Sequence, residues 1–213
     1  SQPYKEIYKI FQKDIEVEIM KGEVVRAKFL SGIFSVTSFF FCIFPIFMKQ
    51  TYFGVFGDKI NPYIPPSFFG SVALYFFVSS ILIQKWANQN IPLPKFSRYF
   101  NAVIETSIPS CALLYLGAIR EPAIYVMVAP PVFVYFIFIC ISALQLNFKL
   151  SVFTGFVAAS EYLAIAIYFH SNSQGFQTET LIGNLPSHIA KTVFMFTSGV
   201  IVGFVTSQIE KRL

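Results

Sequence analysis

Two carboxylates sit where a carboxylate is hardest to keep: Glu105, in NAVIETSIP, and Glu161, in AASEYLAIA, both fall within long apolar runs. An ionisable group at bilayer depth is costly unless it finds a partner or water, so each is a functional candidate by default. Glu161 lies twelve residues past Lys149, which at about 1.5 Å per residue puts it near the midplane of a spanning helix. Its bland role is a protonated carboxyl hydrogen-bonded to a neighbouring helix through Tyr115, Ser110 or Thr106. Its functional role is to face a ligand cavity opening outward, roofed by Arg120, Glu121, His188 and Lys191. Glu105 is shallower, seven residues after Arg98 and on the same helical face, so a structural pair with Arg98 explains it as well as a signalling role does.

His188 and Lys191 are three apart and share a face of one helix. Together they suit an acidic or amphiphilic ligand, although a lysine snorkelling to the outer headgroups accounts equally for Lys191. His170 and His188 flank the loop HSNSQGFQTETLIGNLPSH and read as solvated loop and helix-end residues ahead of metal ligands. The sequence has no phosphate-binding glycine loop, HExxH, paired-cysteine pattern or Ser/His/Asp set in a recognisable context. Neither catalysis, a metal nor a cofactor is therefore expected within these residues. Cys42, Cys111 and Cys140 all fall in apolar runs and form no disulfide framework.

The elements that hold these groups follow from composition. Of 213 residues, 55% are hydrophobic and 13% charged, against about a quarter charged in soluble domains. A span of the ~30 Å hydrocarbon core needs about 20 apolar residues. Six stretches fit, at roughly 29–48, 64–83, 101–119, 123–144, 149–169 and 189–209. Runs such as YVMVAPPVFVYFIFICISAL lack the alternation of a membrane barrel. The expected fold is all-α, a six-helix transmembrane bundle over 29–209 preceded by a cytoplasmic amphipathic helix over 1–28. Pro45, Pro109, Pro130 and Pro131 lie inside spans and predict kinks.

With the amino terminus inside, Lys5, Lys9, Lys13, Lys21, Arg26, Lys28, Lys85, Lys95, Arg98, Lys149, Lys211 and Arg212 are cytoplasmic, against Lys49, Lys59, Arg120 and Lys191 outside. This positive-inside bias puts both termini in the cytoplasm at the inner (plasma) membrane. It also explains the net charge of +5 without a nucleic-acid partner. In the first 28 residues Tyr4, Ile7, Tyr8, Phe11, Ile15 and Ile19 recur at helical spacing beside the basic stripe Lys5, Lys9, Lys13. Such a helix lies on the membrane surface or packs on a cytoplasmic partner, with Gly22 as its hinge. In the sixth span Gly199 and Gly203 form a GxxxG face, which permits close packing within the bundle or dimerisation. Gly155 and Ala159 repeat that spacing in the fifth.

The stretches RYFNAVIETSIPSCALLYL (98–116), YFIFICISALQLNFKLSVFTGFVAASEYLAIAIYF (135–169) and HIAKTVFMFTSGVIVGFVTSQIEKRL (188–213) resemble the six-helix membrane region that precedes the catalytic domain in many bacterial class III adenylate/guanylate cyclases. The resemblance covers most of the chain from about residue 15. Its most specific parts are NAVIETSIP with Glu105, and SALQLNFKLSVFTG followed by Glu161. It departs at Gln145 and Asn147, where the family often has Arg and Asp, and at Lys191, more often Arg. The resemblance implies a homodimeric sensory input domain for cyclic-nucleotide signalling. Its sixth helix would continue through 210–213 into a stalk and a cyclase domain, and a lipophilic or acidic ligand would bias two arrangements. Two other classes share the layout: a substrate-binding component of a small-molecule transporter, and the sensor region of a membrane histidine kinase.

The charge bias yields a direct topological expectation. An impermeant thiol reagent applied outside should label cysteines introduced near Asp58 and Gln174 but not near Lys95 or Leu213, and external labelling at Leu213 would reverse the orientation.

Overall fold

The computed structural model describes residues 2–56, 60–89, 91, 93–172 and 184–210; the side chains of 2–16, 18, 55, 95 and 210 lie outside that description. The basic stripe of Lys5, Lys9 and Lys13, residues 173–183 of the loop expected outside, and residues 211–213 expected to begin a stalk therefore fall outside it. The helices are α1 (Gln2–Phe47), α2 (Lys49–Phe56), α3 (Ile64–Asn88), α4 (Lys95–Ile119), α5 (Pro131–Ile141), α6 (Phe148–Asn172) and α7 (Leu185–Glu210). Two 3-10 turns, Ala123–Val128 and Ser142–Gln145, flank α5, and no strand occurs among the described residues.

Five segments are long and apolar enough to cross a membrane: Ile19–Phe47, Ile64–Asn88, Phe96–Ile119, Phe148–Asn172 and Leu185–Ile209. Large apolar side chains such as Val36 (70% exposed), Ile46 (74%) and Phe204 (60%) point away from the protein, which suits hydrocarbon and not water. The stretch expected to be a fourth span differs. Ala129, which precedes Pro130, is extended at φ −69°, ψ 157°, because the proline ring disfavours helical backbone in the residue before it. The helix therefore restarts at Pro131, and α5 has only 11 residues, or about 16 Å at the α-helical rise. That is about half of a ~30 Å core. The two prolines break this segment where a kink was expected.

Gly22 is not a hinge: α1 runs through it as one helix of 46 residues. A helical glycine costs only about 1 kcal/mol relative to alanine, too little to stop a helix with good formers on both sides. At about 1.5 Å per residue, α1 is more than twice as long as the hydrocarbon core is thick.

The chain divides into two compact units. The first, Ser1–Phe47 with Pro62–Ser97, packs α1 along α3. Phe34 stacks on Phe69 and Phe76 with centroids 6.1 and 5.9 Å apart. Ser31 donates to the carbonyl of Ala73 (3.0 Å) and Ser38 to that of Pro66 (2.8 Å). Near the hydrophilic end, Arg26 and Glu23 form a buried ion pair at 2.8 Å, and Lys28 donates to Gln84 at 2.9 Å.

The second unit, Met48–Asn61 with Arg98–Leu213, is built around α6. Half of the apolar window of α6 is buried, against 17–39% in the other four. Asn147 starts this helix, its Oδ1 accepting from the Leu150 amide at 3.1 Å, after Leu146 turns the chain at φ 47°. Against α6 lies α7, and the two meet backbone to backbone. A Cβ on Gly155 would stand 2.7 Å from the Gly199 Cα, and one on Gly199 2.7 Å from the Gly155 Cα and 3.0 Å from the Ser151 carbonyl oxygen. At Gly203 a Cβ would meet Phe148 at 3.1 Å and Val152 at 3.2 Å. The GxxxG face of α7 is thus spent on α6 in the same chain.

Because the obstacle at Gly199 is backbone, it cannot rotate away. Gly199→Leu should lower the unfolding midpoint of the detergent-solubilised chain, at a cost of about 1–3 kcal/mol or more. Gly32→Leu, where an added Cβ meets nothing within 4 Å, should be neutral or slightly stabilising. Equal effects in thermal melts would contradict this packing.

Candidate functional site

The polar side chains of the second unit converge on Glu161. Thr106, Ser107 and Ser110 lie along one side of α4, spaced so that each hydroxyl faces α6. Thr106 Oγ1 lies 3.3 Å and Ser107 Oγ 3.2 Å from Glu161 Oε1, and Ser110 Oγ donates to Oε2. Ser110 also bonds the Tyr135 hydroxyl of α5 at 2.6 Å. Thr106, Ser110 and Tyr135 are buried, while Glu161 and Ser107 are half-buried. Among the described residues no cation contacts this carboxylate: its partners are hydroxyls.

A second polar pair continues toward α7. Tyr135 and Tyr162, both 0% exposed, meet edge to face with centroids 6.2 Å apart, the arrangement aromatic quadrupoles favour. The Tyr162 hydroxyl bonds His188 Nδ1 at 2.8 Å, and Thr192 donates to the His188 carbonyl at 2.9 Å. Residues from α4, α5, α6 and α7 therefore form one line of polar and aromatic contacts, running from Glu161 through Ser110, Tyr135 and Tyr162 to His188.

Several sequence expectations land differently here. Of the three neighbours proposed for Glu161, Ser110 and Thr106 reach it, whereas Tyr115 does not. His188 is not a solvated helix-end residue. It is fully buried, because α7 begins at Leu185 and by its first turn already lies against Tyr162. Lys191, half-buried, donates to the Met127 carbonyl at 3.4 Å, capping the 3-10 turn that replaced the start of the fourth span. His188 and Lys191 thus turn to different partners and do not share a cationic face, while Arg120 and Glu121 stay exposed. Glu105 is buried, 1% exposed, on the same helix as Thr106, Ser107 and Ser110. Neither a known protein family, a curated protein nor a solved structure matches the chain.

Sequence reasoning missed Ser107, Tyr135 and Tyr162. A signal was available for the first. Hydroxyls at 106, 107 and 110 with a proline at 109 make an unusually polar helical turn inside an apolar run. Tyr135 and Tyr162 carried no such mark, since tyrosines at span positions read equally well as interfacial belt residues.

Each α4 hydroxyl also bonds a carbonyl of its own helix: Thr106 at Ala102 (3.1 Å) and Val103 (3.0 Å), Ser107 at Val103 (2.8 Å), Ser110 at Thr106 (3.1 Å). Removing the carboxylate would leave none of them without an acceptor, and interhelical hydrogen bonds in membranes average only about 0.6 kcal/mol. Glu161→Gln and Glu161→Leu should therefore each shift stability by no more than about 1–2 kcal/mol in a detergent melt. A loss above about 3 kcal/mol for the leucine variant would make this carboxylate a structural tie.

Proposed function

We propose that the chain is the membrane-embedded input domain of a cyclic-nucleotide signalling protein. In this reading it spans the inner (plasma) membrane six times as a homodimer, the short α5 and its two flanking 3-10 turns together making the fourth crossing, with both termini and the amphipathic start of α1 in the cytoplasm. It is the part that regulates a class III adenylate/guanylate cyclase domain and is not itself an enzyme. Glu161 is the input group and α7 the output element.

The observation that carries the reading is the mechanical continuity of α7 with the polar site. His188 is bonded to Tyr162, one residue after Glu161, and Gly199 rests on the α6 backbone about three turns further along. With no compliant side chain at the glycine contact, a shift of α6 is passed on to α7. The resemblance in 98–116, 135–169 and 188–213 supplies the kind of output. Since Gly199 and Gly203 are occupied by α6, dimer contacts on α7 fall on its outer face, where Phe194, Ile201 and Phe204 are exposed. A ligand can drive such a device only through different affinities for its two arrangements.

A fusion of residues 1–213 to a class III cyclase catalytic domain tests this in membranes. One alanine inserted at the junction rotates the output by about 100° and should change nucleotide production several-fold. Seven inserted residues, close to two full turns, should largely restore it. Output insensitive to both insertions would reject α7 as the transmitting element.

A further inference from the structure

From the oxygen geometry around Glu161 we infer a binding site for a monovalent cation of sodium's size, which competes there with a proton. The inference deepens the signalling reading by naming what the input group takes. The reason lies in where the hydroxyl protons can go. A serine or threonine hydroxyl has one proton and two lone pairs. Thr106 approaches the Val103 carbonyl at 3.0 Å but Glu161 at 3.3 Å, and Ser107 approaches the Val103 carbonyl at 2.8 Å but Glu161 at 3.2 Å. The shorter contacts take these two protons, which leaves the Thr106 and Ser107 lone pairs directed at Glu161 Oε1, while Ser110 donates to Oε2. Oxygens so arranged repel unless a positive charge sits among them.

The spacing fits an ion. A hard cation of calcium's radius, which sodium nearly shares, takes oxygens at about 2.3–2.6 Å. Ligands at right angles around it are then about 3.3–3.7 Å apart, and the two longer contacts, 3.2 and 3.3 Å, lie at the lower edge of that range. Thr106 Oγ1, Ser107 Oγ and Glu161 Oε1 supply hard oxygens, while Ser110, bonded to Tyr135 at 2.6 Å, donates to Glu161 Oε2 and orients the carboxylate. Charge selects valence. The one carboxylate here has no cationic partner among the described residues, so a monovalent ion gives a neutral site, whereas a divalent ion would leave a net positive charge at bilayer depth. Glu161 and Ser107 are half-buried, so protein does not seal the cluster completely.

Binding is then an exchange in which a sodium ion enters and the proton of the Glu161 carboxyl leaves. The titratable groups around the site are Tyr135 on α5, Cys111 on α4 and Tyr162 on α6, with His188 of α7 beyond Tyr162. None of these is a fixed charge able to hold Glu161 permanently ionised. Sodium occupancy should therefore fall as pH falls, because the proton takes the same oxygens.

The test uses the purified chain in detergent and dicyclohexylcarbodiimide, which modifies protonated carboxyls in apolar surroundings, with the adduct at Glu161 quantified by mass spectrometry. At constant ionic strength, replacing choline chloride by sodium chloride should reduce labelling of Glu161 at least fivefold. Potassium should protect much less, and protection should weaken at lower pH. Ser110→Ala should still be labelled but lose most of the sodium effect, while Glu161→Gln should take no label at that position. Labelling unaffected by sodium, or reduced equally by choline, potassium and sodium, overturns the site. If Glu161 takes no label in any salt, the melt decides: a sodium-specific rise in unfolding midpoint that vanishes in Glu161→Gln supports the site, and its absence overturns it. No output domain enters these measurements, so their failure and a failure of the cyclase fusion are separate results.

Discussion

At Gly155 and Gly199 the backbones of α6 and α7 touch with no side chain between them. A Cβ on either residue would stand 2.7 Å from the other's Cα, so this contact fixes how near the two longest apolar helices of the second unit can lie. The rest of the site depends on that approach. It brings the first turn of α7 against the C-terminal half of α6, where His188 meets Tyr162 at 2.8 Å. It also leaves the opposite side of α6 to α4 and α5, which carry the hydroxyls that reach Glu161. Lipid tails are as apolar as the side chains they surround, so close packing and internal polar contacts must hold such helices together. A larger residue at 155 or 199 would separate the helices and remove both at once.

The membrane setting also explains why so many hydroxyls bond their own helix. Thr106, Ser107, Ser110, Thr154, Thr192, Thr197, Ser198 and Thr206 all donate to a carbonyl three or four residues back. A hydroxyl without a partner in hydrocarbon costs free energy, and the preceding turn always offers an acceptor. Such residues are polar in composition and nearly neutral in consequence. What distinguishes Thr106, Ser107 and Ser110 is that, already satisfied, they also lie within reach of a carboxylate on another helix.

This redundancy marks the limit of what the sequence could reveal. Length and hydropathy were enough to locate five of the helices, since the need for about 20 apolar residues leaves little freedom. The fourth stretch was apolar enough but carried two adjacent prolines, and hydropathy does not register that Ala129 must leave the helical region before Pro130. Glu161 stood out because a carboxylate in an apolar run has few innocent explanations. Two of its partners, Thr106 and Ser110, were legible with Tyr115 as hydroxyls on another span able to bond a buried carboxyl. His188 was misread because its neighbours in sequence, Ser187 and Asn184, are loop-like, whereas its burial is decided by Tyr162, 26 residues earlier. The GxxxG spacing identified a close contact but could not choose the partner, which only the position of Gly155 supplies.

Charge balance leads from this architecture to function. A structural carboxylate in a low-dielectric interior is held by a cation, or by donors that have no better acceptor, since only then does its own ionisation help the fold. Glu161 has no cation beside it among the described residues, and of its three hydroxyl neighbours only Ser110 lacks a shorter bond in its own helix. The fold therefore holds Glu161 in position without fixing its charge. Whatever neutralises it, a proton or a small cation, changes how strongly α4 is drawn to α6, and α6 has no slack against α7 at Gly199. In the proposed reading, a group whose charge is left open, beside a contact that does not yield, is how a chemical event among the apolar helices would become a displacement of α7.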